Sequence, residues 1–128
     1  MNNTIDINCD VGEGVGNESE LFPLISSCNI SCGAHAGSID TIKKCLDLSK
    51  SYNVKVGAHP SYPDRKNFGR VSLQISKEDL IASIRSQMEE FNNAREQVGV
   101  DLHHIKPHGA LYNDIAKNET LAEIFLEA

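Results

Sequence analysis

Val54-Lys55-Val56-Gly57-Ala58-His59-Pro60-Ser61-Tyr62-Pro63-Asp64 opens with a short apolar run, ends it on a histidine and breaks at proline. A run of that length bounded by turn formers reads as a buried strand. Three other stretches share this build, Ile5 to Cys9, Cys28 to Cys32 and Leu102 to Lys106, which places strands near residues 4–9, 28–32, 54–58 and 102–106. Between them the apolar residues switch to helical spacing. Ile39, Ile42, Cys45 and Leu46 form one stripe, and Leu80, Ile81, Ile84, Met88, Phe91 and Val98 form another behind a Ser76-x-x-Asp79 capping box. Glu18 to Ser27, with Pro23, reads as one or two helical turns, and a last helix starts near Thr120-x-x-Glu123. Strands alternating with helices imply a parallel sheet joined by right-handed crossovers.

The chain has 128 residues, 40% of them hydrophobic, and a net charge of −6. That is one domain's worth of chain, able to bury a core without disulfide staples. Its Lys and Arg are scattered, so it offers no basic stripe to a nucleic-acid backbone. No run approaches the ~18 apolar residues of a membrane span, and the acidic N-terminal stretch is unlike a signal peptide. Cys9, Cys28, Cys32 and Cys45 sit within strand and helix patterns, which favours reduced thiols in a cytoplasm over a disulfide framework or a zinc ribbon. The last helix runs to Ala128 without a stop residue. Four strand–helix units amount to about half of a ~250-residue (β/α) barrel, so the expectation is either a fragment of such a barrel or a small open α/β sheet.

Both faces of a parallel sheet are normally apolar, so polar residues inside these strands need a reason. Strand parity sets Asp6, Asn8 and Asp10 against Ile5, Ile7 and Cys9, and Asn29 and Ser31 against Cys28, Ile30 and Cys32. By the same parity His59 opposes Val56 and Ala58, and His104, Lys106 and His108 oppose Ile105. If the apolar face packs on helices, the polar set converges at the C-terminal ends of the strands, where α/β folds build their sites. The loops that follow carry Gly12, Glu13 and Gly14, then His35, then Ser61 and Asp64, then Tyr112. Gly12-x-Gly14-x-Gly16 is not a dinucleotide fingerprint, and no Walker lysine loop is present. Each residue has a plain reading too: a strand-end His as a cap, Lys106 as a rim residue, Asp10 as a turn former, Arg65, Lys66 and Arg70 as a solvated face, and His103 as packed under a helix. Independent plain causes do not account for His35, His59, His108, Lys106, Asp10 and Glu13 all falling at one end of one sheet, and Arg70, after Phe68-Gly69, is placed to reach an anion.

Five motifs make the pattern recognisable: Asn8-Cys9-Asp10-Val11-Gly12-Glu13-Gly14, Ser26 to Gly37, Gly57 to Asp64, Asn67-Phe68-Gly69-Arg70 and His104 to Asn113. Together they resemble the LamB/YcsF family over the whole chain. The resemblance implies the first half of a TIM-like, seven-stranded (β/α) barrel of the glycoside hydrolase/deacetylase type, a single domain over residues 1–128 that is truncated or incomplete. It implies the ATP-dependent opening of the 5-oxo-L-proline lactam to L-glutamate, by the A subunit of a 5-oxoprolinase working with companion B and C subunits, with a homo-oligomer as a further option. Asp10, Glu13, His59, Lys106 and His108 would then carry the chemistry. Asn8, Gly12, Gly14, Asn29, His35, Ser61, Asp64, Arg70 and Tyr112 would bind substrate or ATP, and Asp10, His59 and His108 would hold a divalent metal. Two other readings remain open at this point: a metal-dependent amide hydrolase that needs no ATP, and a non-catalytic binding subunit.

Overall fold

In the computed structural model, which describes residues 3–128, the strands are β1 (Asn8–Val11), β2 (Ser27–Ser31), β3 (Lys55–His59) and β4 (Leu102–Ile105). They lie side by side in sequence order, all parallel, with Asp10 beside Asn29, Asn29 beside Gly57 and Gly57 beside His104. The helices are α1 (Glu18–Leu21), followed by a 3-10 turn over Phe22–Leu24, then α2 (Ile39–Tyr52), α3 (Lys77–Val98), α4 (Gly109–Lys117) and α5 (Glu119–Glu127). This is the α/β order read from the sequence, with β1 and β4 as the two edges.

The apolar face of the sheet decides which way the polar face points. Cys28, Ile30, Cys32, Val56 and Ala58 pack against Ile42, Cys45 and Leu46 of α2 and Phe91 and Ala94 of α3, and every one of these side chains is buried. A smaller cluster of Tyr62, Leu80, Ile84, Ala110 and Leu111 seats α4. Ser38 and Ser76 cap α2 and α3 by accepting from the backbone N–H three residues on, and Asn53 and Gly99 end these helices in the left-handed region. Among the described residues no helix is long and apolar enough to cross a membrane.

Four local expectations are corrected. β1 begins at Asn8, and Ile5 and Ile7, expected to pack, are 82% and 48% exposed ahead of it. His103, expected under a helix, is exposed at the register irregularity of β4, where it contacts His104, and Ile105 is 46% exposed at the end of this edge strand, of which Leu102 packs against the core. The stretch after Pro107, read as a loop, is α4: Gly109 takes φ +58 and lets Ala110 N–H donate to Gly69 O at 2.9 Å, where a Cβ on residue 109 would press on that same carbonyl. The last helix is capped by Asn118, whose side chain accepts from Leu121 N–H at 3.1 Å, and not by Thr120.

The thiols are core residues. None forms a disulfide, and burial pushes Cys28 up to about 11 and Cys32 and Cys45 up to about 12. Thiolate is the reactive form, so a disulfide reagent should titrate no more than the partly exposed Cys9 in native protein and all four in denaturant. Rapid native reaction at any of the other three would contradict this packing.

Candidate functional site

The polar face of the sheet carries a continuous hydrogen-bond network. Asn29, fully buried on β2, is its centre. Its amide N–H donates to Asp10 Oδ1 at 2.8 Å and to Asn8 Oδ1 at 2.6 Å, and its Oδ1 accepts from His104 Nε2 at 2.5 Å. Asn8 also donates to Ser27 Oγ at 2.9 Å. Gly57 is required between them because a Cβ there would collide with the Nε2 edge of the His104 ring. One step further along the strands, Lys106 Nζ donates to Asp10 Oδ1 at 2.9 Å, and Asp10 Oδ2 lies 3.5 Å from His59 Nε2. Burial works to raise the Asp10 pKa, but contact with His59 and the hydrogen bonds from Asn29 and Lys106 outweigh it and hold the carboxyl well below the usual carboxylate range.

Three histidines meet beside this network, and their outer hydrogen bonds fix their tautomers. His59 Nδ1 lies 2.6 Å from Lys106 O, and His108 Nε2 lies 2.8 Å from Phe68 O; carbonyls only accept, so both nitrogens carry hydrogen. His35 Nδ1 lies 2.9 Å from Ser61 Oγ, whose one proton goes to Tyr62 O, so this nitrogen donates too. The other ring nitrogens turn inward. His59 Nε2 faces His108 Nδ1 at 2.9 Å, His35 Nε2 faces Glu13 Oε1 at 2.8 Å, and His108 Nδ1 is 3.4 Å from that same oxygen. Acceptors facing acceptors at such distances need a cation between them, either shared protons or a metal ion.

The chemistry of the donors fits a metal. Glu13, His35, His59 and His108 each aim one ligand atom into a space where all four lie within 4.8 Å of one another. Three imidazoles and one carboxylate, each imidazole oriented by an oxygen behind it, suit a borderline divalent cation. Burial opposes ionisation of Glu13, yet its close contact with His35, sharing a proton there when no metal is bound, and the neighbouring His108 and His59 lower its pKa. His108 is lowered mainly by burial, which favours the neutral, ligating form.

The site residues expected from sequence therefore divide. Asp10, Glu13, His35, His59, Lys106 and His108 come together, with Asn8 and Asn29 supporting them. The donor set that closes contains Glu13 and His35 beside His59 and His108, while Asp10 is turned to Lys106 and Asn29. Asp10, His59, Lys106, His108, Tyr112 and Asn113 line a cleft of about 380 Å³, with Tyr112 half exposed at its edge. Gly12 and Gly14 both take positive φ in the loop that carries Glu13. Ser61 is wholly buried behind His35, its hydroxyl accepting from His35 Nδ1. Asp64 accepts from Asn67 N–H and side-chain amide, closing its own turn, and Arg70 lays its guanidinium over the Phe68 ring at 4.8 Å. Sequence reasoning missed Arg65, which donates to Gly33 O and Gly37 O and so ties down the His35 loop, and it missed Asn113 and Gln87. Gln87 did leave a signal: it is the polar member of the buried Leu80, Ile84, Phe91, Ala94 stripe of α3.

The LamB/YcsF family model matches residues 5–128. The A subunit of 5-oxoprolinase from Neisseria meningitidis serogroup C is 43% identical over 119 residues, which is 93% of this chain and 49% of that protein. That of Histophilus somni is 42% identical over 123 residues, 96% of this chain and 50% of that one. The crystal structure of the lactam utilization protein from Thermus thermophilus superposes with a TM-score of 0.89 at 38% identity, covering 96% of this chain and 52% of the other. The chain spans about half the length of the curated relatives it matches. Strand order, the five motifs and these matches all point the same way: the chain belongs to the LamB/YcsF family.

Proposed function

We propose that these residues form the first half of the single (β/α) barrel domain of a 5-oxoprolinase A subunit, acting in the cytoplasm with companion B and C subunits to open 5-oxo-L-proline to L-glutamate at the expense of ATP. The observation that carries the reading is the convergence of Asp10, Glu13, His35, His59, Lys106 and His108 from all four strand ends, with Asp10, His59, Lys106 and His108 lining one cleft and Glu13 and His35 packed behind them. The open edges at β1 and β4, with Ile105 exposed, are then covered by the rest of a barrel or by a second copy of the chain.

Lactam resonance makes the carbonyl a poor electrophile, so the simplest coupling has the amide oxygen attack the γ-phosphorus of ATP, forming an O–P bond as ADP leaves. Water then adds to the activated carbon and gives up a proton. The C–N bond breaks as the ring nitrogen is protonated, leaving an acyl phosphate that a second water hydrolyses to glutamate and phosphate. Lys106 is placed to neutralise charge on the phosphoryl group or the oxyanion, and Asp10 or Glu13 to take the proton from water, with Asp10 the weaker base of the two for its tie to Lys106. Tyr112 and Asn113 offer polar groups to the ring at the cleft's edge. A divalent ion on Glu13, His35, His59 and His108 would supply Lewis acidity at that cleft.

The deciding experiment is glutamate release from 5-oxoproline by the full-length protein in complex with its B and C companions, with ATP present or withheld. Turnover that needs ATP supports the proposal. Hydrolysis without ATP or companions would replace it with a metal-dependent amide hydrolase, the second reading, which the Glu/His cluster favours. Removal of metal by a chelator is expected to lower turnover at least tenfold, with recovery on adding zinc or manganese; unchanged turnover in rigorously stripped enzyme would show that the cluster works with protons alone.

A further inference from the structure

Gln87 interrupts the apolar stripe of α3 and is buried, yet it faces no ligand. Its Oε1 accepts from Ser61 N–H at 2.9 Å, and its Nε2 donates to Ser61 O at 2.9 Å and to Ser83 Oγ at 3.1 Å. The amide's orientation is fixed, because a backbone N–H can only donate and a carbonyl can only accept. One side chain thus grips both main-chain groups of a single residue in the loop after β3. That residue, Ser61, is 0% exposed, and its hydroxyl accepts from His35 Nδ1. No buried side-chain polar atom among the described residues lacks a partner, so the chain from helix to histidine is closed.

We infer that Gln87 is a positioning residue for the histidine cluster: it holds Ser61 so that Ser61 keeps the His35 proton on Nδ1 and the Nε2 lone pair aimed at the space shared with Glu13, His59 and His108. The three imidazoles differ in how they are held. His59 and His108 lean on main-chain carbonyls, whereas His35 leans on a hydroxyl whose position depends on a helix two elements away. Groups behind a ligand are commonly worth roughly ten- to a hundredfold in metal affinity. The inference rests on the reading that this cluster takes a divalent ion.

The test uses the full-length protein with Gln87→Leu, Gln87→Glu, Ser61→Ala and the Gln87→Leu/Ser61→Ala pair. Zinc affinity is measured by competition with a chelator, and the His35 tautomer by nitrogen-15 chemical shifts in zinc-free protein. Gln87→Leu and Ser61→Ala are each expected to weaken zinc roughly tenfold or more and to mix the His35 tautomers. The pair should be no worse than the poorer single variant, because both act along one path. Gln87→Glu keeps the acceptor for Ser61 N–H but loses the donor, and should fall between; it also serves if Gln87→Leu folds poorly. Zinc affinity and tautomer unchanged in variants that merely melt earlier would overturn the inference, leaving Gln87 a purely structural residue. If wild-type protein takes no zinc but the variants still mix the tautomers, the metal reading fails and the positioning role stands.

Discussion

On the proposed function, alanine at Asp10, His59 or Lys106 in the full-length protein with its companions is expected to lower ATP-dependent glutamate release by about a hundredfold, with circular dichroism unchanged. The three side chains form one chain of contacts at the strand ends, with Lys106 2.9 Å and His59 3.5 Å from the Asp10 carboxylate. Charge that develops in the transition state at such a place is stabilised by groups already oriented, and losing one costs on the order of 3 kcal/mol of barrier. Lys106→Ala should be the cleanest case, since the main-chain carbonyl that holds His59 survives the substitution. Asp10→Ala also removes the acceptor that keeps the ammonium and the Asn29 amide in place, so its loss should be at least as large. Near-normal turnover in all three, at matched folding, would show that the reaction takes place elsewhere.

Gly57→Ala should be the most damaging small substitution in the sheet. The φ of Gly57 is not in the left-handed region, so backbone freedom is not the issue; the added methyl would collide with the edge of the His104 ring. Either His104 moves or β3 and β4 separate. The first breaks its bond to Asn29 Oδ1 and so loosens the Asp10 network, and the second opens an edge strand pair that already carries an irregularity at Val56/Gly57. Overpacking of this kind costs about 2 kcal/mol, enough to lower the melting temperature of a domain this size by several degrees. A second substitution separates the causes: Gly57→Ala/His104→Ala should recover most of the stability lost by Gly57→Ala, because the methyl then has room. Equal destabilisation of the single and double variants would mean that the collision is not the reason glycine stands there.

The strands and their order were legible because alternation has a period of two and each run was bounded by proline, glycine or a cap. The same parity exposed the polar face, since Asp10, Asn29, His59 and Lys106 lie on strands or one step beyond them. Parity stops at the strand ends. Glu13 and His35 reach the cluster through loops that turn at Gly12, Gly14 and Gly33 with positive φ, and no periodicity describes where such loops go. That is why the metal set drawn from strand ends names Asp10, whereas the tightest group of potential ligand atoms adds Glu13 and His35 to His59 and His108. Ile105, Ile5 and Ile7 escaped for a different reason: sequence pattern assumes every apolar position is covered, yet they are exposed at and ahead of the sheet's edges, while His103 falls at a register shift that parity does not foresee. Asp64 and Ser61 lay beside the site in sequence but use their side chains locally, one to close a turn and one to hold an imidazole.

The way the imidazoles are held also bounds how the family can drift. Substitution cannot delete a main-chain carbonyl, so the orientations of His59 and His108 persist whatever side chains stand at positions 106 and 68. His35 alone has its orientation written in a replaceable hydroxyl. Variation that retunes the cluster is therefore confined to one corner of it, and exchanges at Ser61 or Gln87 can soften or stiffen that corner without dismantling the other two.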